Sequence, residues 1–258
     1  LYLLFILVEM ENYMSEKKIV GFDKKIRYAW MEAAAYWSSE GLSPKDIRIN
    51  LDSLLKDQLS DTGKRSSMSK VKSILMRIWG TQNDELGELR KISHKLYSTA
   101  NENEKLLLHW GLASATDPFF FQVAEHTGRL LSITNEIRSR QIVRRIKETY
   151  GERSTIDYAA PRVFRSFVEW GTLETMGKQL ILKSTKPKRI EKNPQIISWL
   201  MEIVIRAKGK QMLPFKAIVS SPALFPFSIE SQISYVKQNK RLIVYRQNVD
   251  EDLVLLKS

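Results

Sequence analysis

The sequence predicts a mainly α protein: an N-terminal helical bundle followed by one or two winged-helix-like modules with short β-hairpins. Three observations carry this. Apolar residues recur at three- and four-residue spacing through most of the first half. The second half twice runs from a helix through Gly- or Pro-marked turns into short strand-like segments. Positive charge is also concentrated there. Residues 1–133 hold 18 Lys/Arg against 17 Asp/Glu, and residues 134–258 hold 23 against 12, within a net charge of +12. An excess confined to one part of a chain is the electrostatic footprint of a polyanionic partner. A basic surface without a partner is the bland alternative.

Residues 1–20 read as an N-terminal tail. Leu1–Val8 (LYLLFILV) is apolar, but a membrane-spanning helix needs roughly 20 such residues. No basic stretch precedes it, as a secretory signal would require. With Met10 and Met14 just downstream, the first nine to thirteen residues read as a translation-start artefact. Gly21–Glu40 reads as the first helix, with Ile26, Trp30, Ala33, Ala34 and Trp37 on one stripe. Gly41 closes it and Ser43-Pro44 opens the second, where Ile47, Leu51, Leu54, Leu55 and Leu59 form the apolar side. Asp61-Thr62-Gly63 is a turn. Ser66–Gly80, Asp84–Thr99, Asn103–Ala115 and Phe119–Ile133 complete a helical domain over residues 21–133.

A basic winged-helix-like module is expected over residues 134–185. Glu136–Tyr150 reads as a basic amphipathic helix, with Ile137, Ile142, Val143 and Ile146 inward and Gly151 at its end. Ser154-Thr155-Ile156-Asp157 offers the N-cap of a second helix running to Trp170, which Pro161 can split. Gly171-Thr172-Leu173 ends it. Gly177 falls at a hairpin tip and Gln179–Leu182 reads as a strand. Helix, turn, helix and hairpin within about fifty residues is the order of a winged helix, whose second helix enters a DNA groove. Lys183–Asn193 (KSTKPKRIEKN) reads as a linker. Residues 194–258 then form a second winged-helix-like α+β module. It has a helix at Pro194–Ala207, a Pro-broken stretch, a helix over Ser228–Gln238, and a hairpin of Arg241–Tyr245 with Leu253–Leu256. No fixed-period repeat is visible.

The chain has no cysteine, which excludes a disulfide framework, a zinc ribbon and a thiolate nucleophile and makes a cytoplasmic setting the expectation. His94, His109 and His126 lack metal-ligand spacing, so no metal or cofactor is expected. Gly63-Lys64-Arg65-Ser66 lacks the first glycine of a P-loop, and no strand precedes it. It reads instead as a helix start where Lys64 and Arg65 contact a backbone phosphate, or as a plain serine cap. Hydrolase, kinase and dinucleotide-binding signatures are missing. These absences point away from an enzyme.

Candidate nucleic-acid contacts are Arg138, Arg140, Arg144 and Arg145 on the first helix of the basic module, then Arg153, Arg162 and Arg165. Ser154 and Thr155 offer backbone amides, and Lys178 lies on the wing. Arginine suits the task because its planar fork takes a phosphate or a guanine edge bidentately. The opposing reading is a set of solvated faces paired to Glu148, Glu152 and Glu169. The six tryptophans and Phe119–Phe121 sit on apolar stripes and read as core.

The helical start GFDKKIRYAWMEAAAYW and the capped helix ending in a Gly turn, STIDYAAPRVFRSFVEWGTL, resemble BrxA-type accessory proteins of BREX bacteriophage-exclusion systems. The resemblance covers about residues 21–183, and the chain departs from that pattern after about residue 190. It implies a non-enzymatic component that binds double-stranded DNA beside other defence proteins. The expected function is therefore duplex binding through phosphates by a basic helix-turn-helix surface. The rivals are a protein–protein scaffold built on winged-helix modules, an RNA-binding protein and a nuclease without a recognisable motif.

Overall fold

The computed structural model describes residues 19–257, apart from 61–62, 64–65, 82–83, 177–180 and 249–250. The chain is mainly α, with small sheets in its second half. The tail before residue 19, the turn at Asp61-Thr62 and the hairpin tip at Gly177 therefore lie outside the described residues.

Among the described residues, six helices build the first half: α1 (Tyr28–Ser39), α2 (Pro44–Leu55), α3 (Ser67–Leu75, running into a π-turn at Met76–Gly80), α4 (Gly87–Tyr97), α5 (Glu102–Thr116) and α6 (Pro118–Leu131). Four of the starts follow from side-chain caps. Ser43 accepts from the Asp46 amide and Ser66 from the Ser69 amide. Asn101 and Glu104 close a capping box, and Asp117 accepts from the Phe120 amide ahead of Pro118. Each satisfies amides that a helix leaves unpaired at its start. Helix α5 is central. Its Trp110 is fully buried, with the rings of Phe120, Phe167, Trp170, Phe225 and Phe227 around it.

Gly21–Arg27 is not helical, contrary to the expectation of one helix from Gly21. Phe22 and Ile26 are each completely buried, and their four-residue spacing imitates a helical stripe. The backbone instead bonds across the molecule. The Ile26 amide donates to Ser166 Oγ at 2.9 Å, and Trp170 Nε1 donates to the Ile26 carbonyl at 2.9 Å. Tertiary partners take the groups that a helix would have paired internally.

The second half opens on β1 (Glu136–Arg138), where the sequence had suggested the start of a helix, followed by α7 (Ser139–Tyr150) and α8 (Ser154–Glu169). Then come β2 (Leu173–Met176) and β3 (Ile181–Ser184). The antiparallel sheet has the order β1-β3-β2. Ile137 lies opposite Leu182, and both are buried. A one-residue slip would turn both outward, so burial pins the register and converts Glu136–Arg138 to a strand. Pro161 sits inside α8 without splitting it, and the helix begins at Ser154 with Arg153 as its cap position.

Lys183–Asn193 is not a free linker. It contains β4 (Lys188–Ile190), which pairs in parallel with β6 (Phe227–Ile229) and buries Ile190. Helix α9 (Pro194–Ala207) packs on α5, and the chain continues through β5 (Met212–Pro214) and α10 (Phe215–Val219). Short 3-10 helices occupy Pro222–Leu224 and Ile233–Gln238, so the helix expected over Ser228–Gln238 is shorter, Ser228 being drawn into β6. The expected terminal hairpin is β7 (Leu242–Asn248) with β8 (Glu251–Leu256), and β5 joins it in the order β5-β8-β7. One apolar cluster runs from Phe22 to Val254, passing residues 133 and 194 without a break. Among the described residues no helix is long and apolar enough to cross a membrane.

Candidate nucleic-acid interface

Helix α8 has two faces. Ile156, Ala159, Ala160, Val163, Phe164 and Phe167 point into the core. Ser154, Tyr158, Arg165 and Glu169 recur at helical spacing on the outside, and Tyr158 is 68% exposed. The sheet and α7 hold this helix at the surface, with its outward side uncovered.

On one flank of α8 lies a cleft of about 520 Å³. Arg153, Thr155 and Arg162, all named from the sequence, line it together with Tyr158 and Ala159. The opposite wall is distant in sequence: Val20, Asp23 and Lys24 from the extended segment, and Lys70 from α3. That segment is anchored at both ends. Arg77 Nη2 donates to the Gly21 carbonyl at 3.1 Å and pairs with Asp117 at 2.8 Å. A Cβ on Gly21 would stand 2.2 Å from Asp117 Oδ2, so only glycine permits this approach. At the other end the two Ile26 bonds to α8 hold the strap, leaving Lys24 beside Arg162.

Within the cleft Lys70 is paired with Asp23, and Lys24 Nζ donates to Ser67 Oγ at 3.1 Å. Arg162 has no carboxylate partner among the described residues. The Lys24 ammonium is held below the ordinary lysine range, first by partial desolvation and then by repulsion from Arg162, with Lys70 adding to it. Only one described carboxylate, Asp23, answers these cations at the cleft wall.

The other candidates are spread over neighbouring surfaces. Arg138 and Arg140 flank a depression at the β1 edge with Gln141 and Ile181, close to the hairpin end. Arg144 and Arg145 stand on the outer face of α7, where both approach Glu148, at 3.9 and 3.2 Å. The opposing reading thus holds at Glu148, and also at Glu152, which pairs with Lys147. Lys147 also bridges to Asp157 on α8, which together with Glu152 raises its pKa. Glu169, by contrast, pairs with Lys25 of the strap at 2.5 Å rather than with a cation of the basic module. Lys64, Arg65 and Lys178 lie outside the described residues.

Sequence reasoning missed Lys24 and Lys70. Both belong to a half with nearly balanced charge, and nothing local marks them. The chain matches no family model, no curated protein and no solved structure in comparisons with each.

Proposed function

We propose that this protein is a non-enzymatic duplex-DNA-binding accessory protein, of a bacteriophage-defence or regulatory complex, with residues Pro118–Ser184 as a winged helix and α8 as its recognition helix. The observation that carries the reading is the order α6, β1, α7, α8, β2, β3 with sheet order β1-β3-β2. That order presents the third helix outward beside a hairpin. Here the outward helix bears Tyr158 and Arg165, with Arg162 at its edge and Arg138 and Arg140 near the hairpin. A similar order recurs as α9, β5, α10, the Ile233–Gln238 turn, β7 and β8, with sheet order β5-β8-β7, interrupted after α10 by the Pro222–Leu224 turn and by β6, which pairs with β4. Glu136 lies eighteen positions after Pro118, and Met212 eighteen after Pro194. The second unit is a shrunken winged helix on this reading. The defence setting rests on the resemblance to BrxA-type proteins.

The test is fluorescence anisotropy with a labelled random duplex across a salt series. Contact with six or more phosphates costs on the order of a thousandfold in affinity between about 50 and 200 mM salt. Absence of binding at low salt would sink the proposal. Competition with structured RNA separates DNA from RNA as the preferred partner.

A protein-scaffold reading is favoured by one observation. Met212, Leu255 and Ile243 stand in register across the C-terminal sheet, with Tyr245 two residues along. Met212, Ile243 and Tyr245 are 52%, 46% and 59% exposed. Ile243→Ser/Tyr245→Ser should leave duplex binding unchanged if this face serves a protein instead.

A further inference from the structure

We propose that the cleft between α8, the Val20–Arg27 strap and α3 is a dedicated phosphate-binding subsite, in which Lys24 and Arg162 grip one backbone phosphate of the bound strand. This rests on the duplex-binding reading and adds to it a clamp built outside the winged helix. Four cations, Lys24, Lys70, Arg153 and Arg162, line the cleft from positions far apart in the chain, and Asp23 is the one carboxylate among its described lining residues. Asp23 is paired with Lys70, whereas Lys24 donates to Ser67 and Arg162 has no carboxylate partner among the described residues, so the two cations share the cleft without a carboxylate of their own. Like charges sharing one cleft repel; the Lys24 pKa is lowered first by burial and then by the Arg162 charge, with Asp23 pulling the other way. An anion placed between Lys24 and Arg162 removes that repulsion. A guanidinium and an ammonium suit a phosphate, which accepts a bidentate fork and a point charge on separate oxygens. Thr155 on the cleft wall offers a hydroxyl to the same group. The strap is fastened at Gly21 and Ile26, so Lys24 is positioned before a ligand arrives.

Two probes separate this subsite from the duplex reading as a whole. The first is duplex affinity across salt for the wild type, Lys24→Gln and Asp23→Asn. Lys24→Gln should weaken binding about tenfold near 0.1 M salt and lower the salt slope by about one, evenly across duplex sequences. Asp23→Asn should strengthen binding, an outcome that a purely structural role for the strap would not produce. The second probe is inorganic pyrophosphate, titrated by calorimetry at low salt. The wild type should bind it and Lys24→Gln should lose it. If the wild type binds duplex but Lys24→Gln changes neither affinity nor slope, the subsite is overturned and the duplex reading stands. If the duplex does not bind, pyrophosphate decides: binding that depends on Lys24 keeps the subsite, and binding that is absent or indifferent to Lys24 ends it.

Discussion

At the residue scale, the most constrained polar group is His109. It is fully buried, accepts a hydrogen bond from Trp79 Nε1 at Nδ1 (3.0 Å) and meets Glu32 at Nε2 (2.6 Å). An indole N–H can only donate, so Nδ1 is the acceptor and the ring proton sits on Nε2, donated to Glu32. Burial pushes the His109 pKa down, against the pull of Glu32. Burial lowers His94 and His126 too. The sign of the consequence follows from linkage. Below pH 6.5, the ordinary histidine value, the unfolded chain takes up protons that the folded chain refuses. Stability from these three residues is therefore complete above that pH and falls as pH drops below it. Urea midpoints should fall from about pH 7 towards about pH 5. A midpoint that is level or rises over that range would contradict this account. Glu32 adds a separate loss at lower pH. Burial alone would raise its pKa, but the His109 hydrogen bond and Lys105 hold it below the ordinary value of 4.5.

At the element scale, α7 and α8 divide the arginines unequally. Arg144 and Arg145 share Glu148 on α7, whereas Arg162 and Arg165 on α8 have no carboxylate partner among the described residues. On the duplex-binding reading, Arg162→Ala/Arg165→Ala should weaken binding more than Arg144→Ala/Arg145→Ala, by at least about tenfold at low salt. Anisotropy with one duplex measures both. Equal losses would move the contact surface from α8 to a diffuse basic face. Two arginines of the C-terminal residues are paired instead. Buried Glu202 of α9 accepts from Arg241 at 2.7–3.0 Å, from Arg206 at 2.8 Å and from Asn239 at 2.7 Å. Arg206 and Arg241 are thereby committed to a buried carboxylate, and the Glu202 pKa stays low because those hydrogen bonds outweigh burial.

At the scale of the whole molecule, the two halves are packed into each other. A Cβ on Gly111 of α5 would stand 2.4 Å from the Trp199 ring of α9, and one on Gly128 of α6 would stand 1.9 Å from the Pro222 carbonyl. Contacts this close couple the C-terminal unit to the bundle. The full chain should therefore unfold in one calorimetric transition. A chain ending at Asn193 should show no cooperative transition, because removing α9 strips the cover from α5. Two separate transitions in the full chain, or a cooperative truncated chain, would show that residues 194–258 fold as an independent module.

Much of the fold was legible in the sequence because it depends on neighbours. The Ser43 cap, the apolar stripes, the terminal hairpin and the burial of five of the six tryptophans, Trp37 being only partly covered, all follow from spacing within a turn or two. Of the candidate site, the arginines of α8 were legible as residues and the cleft was not. The strap at Val20–Arg27, the conversion of Glu136–Arg138 to a strand, the 3-10 turn at Ile233–Gln238 and the arrival of Lys24 and Lys70 beside Arg162 were decided by tertiary structure. The physical reason is distance along the chain. Ile26 bonds to residues 140 and 144 positions away, and β1 becomes a strand only because Leu182 is there to receive Ile137. The sequence by itself determined most of the helices and where positive charge accumulates. Only long-range packing decided which of those charges share a cleft.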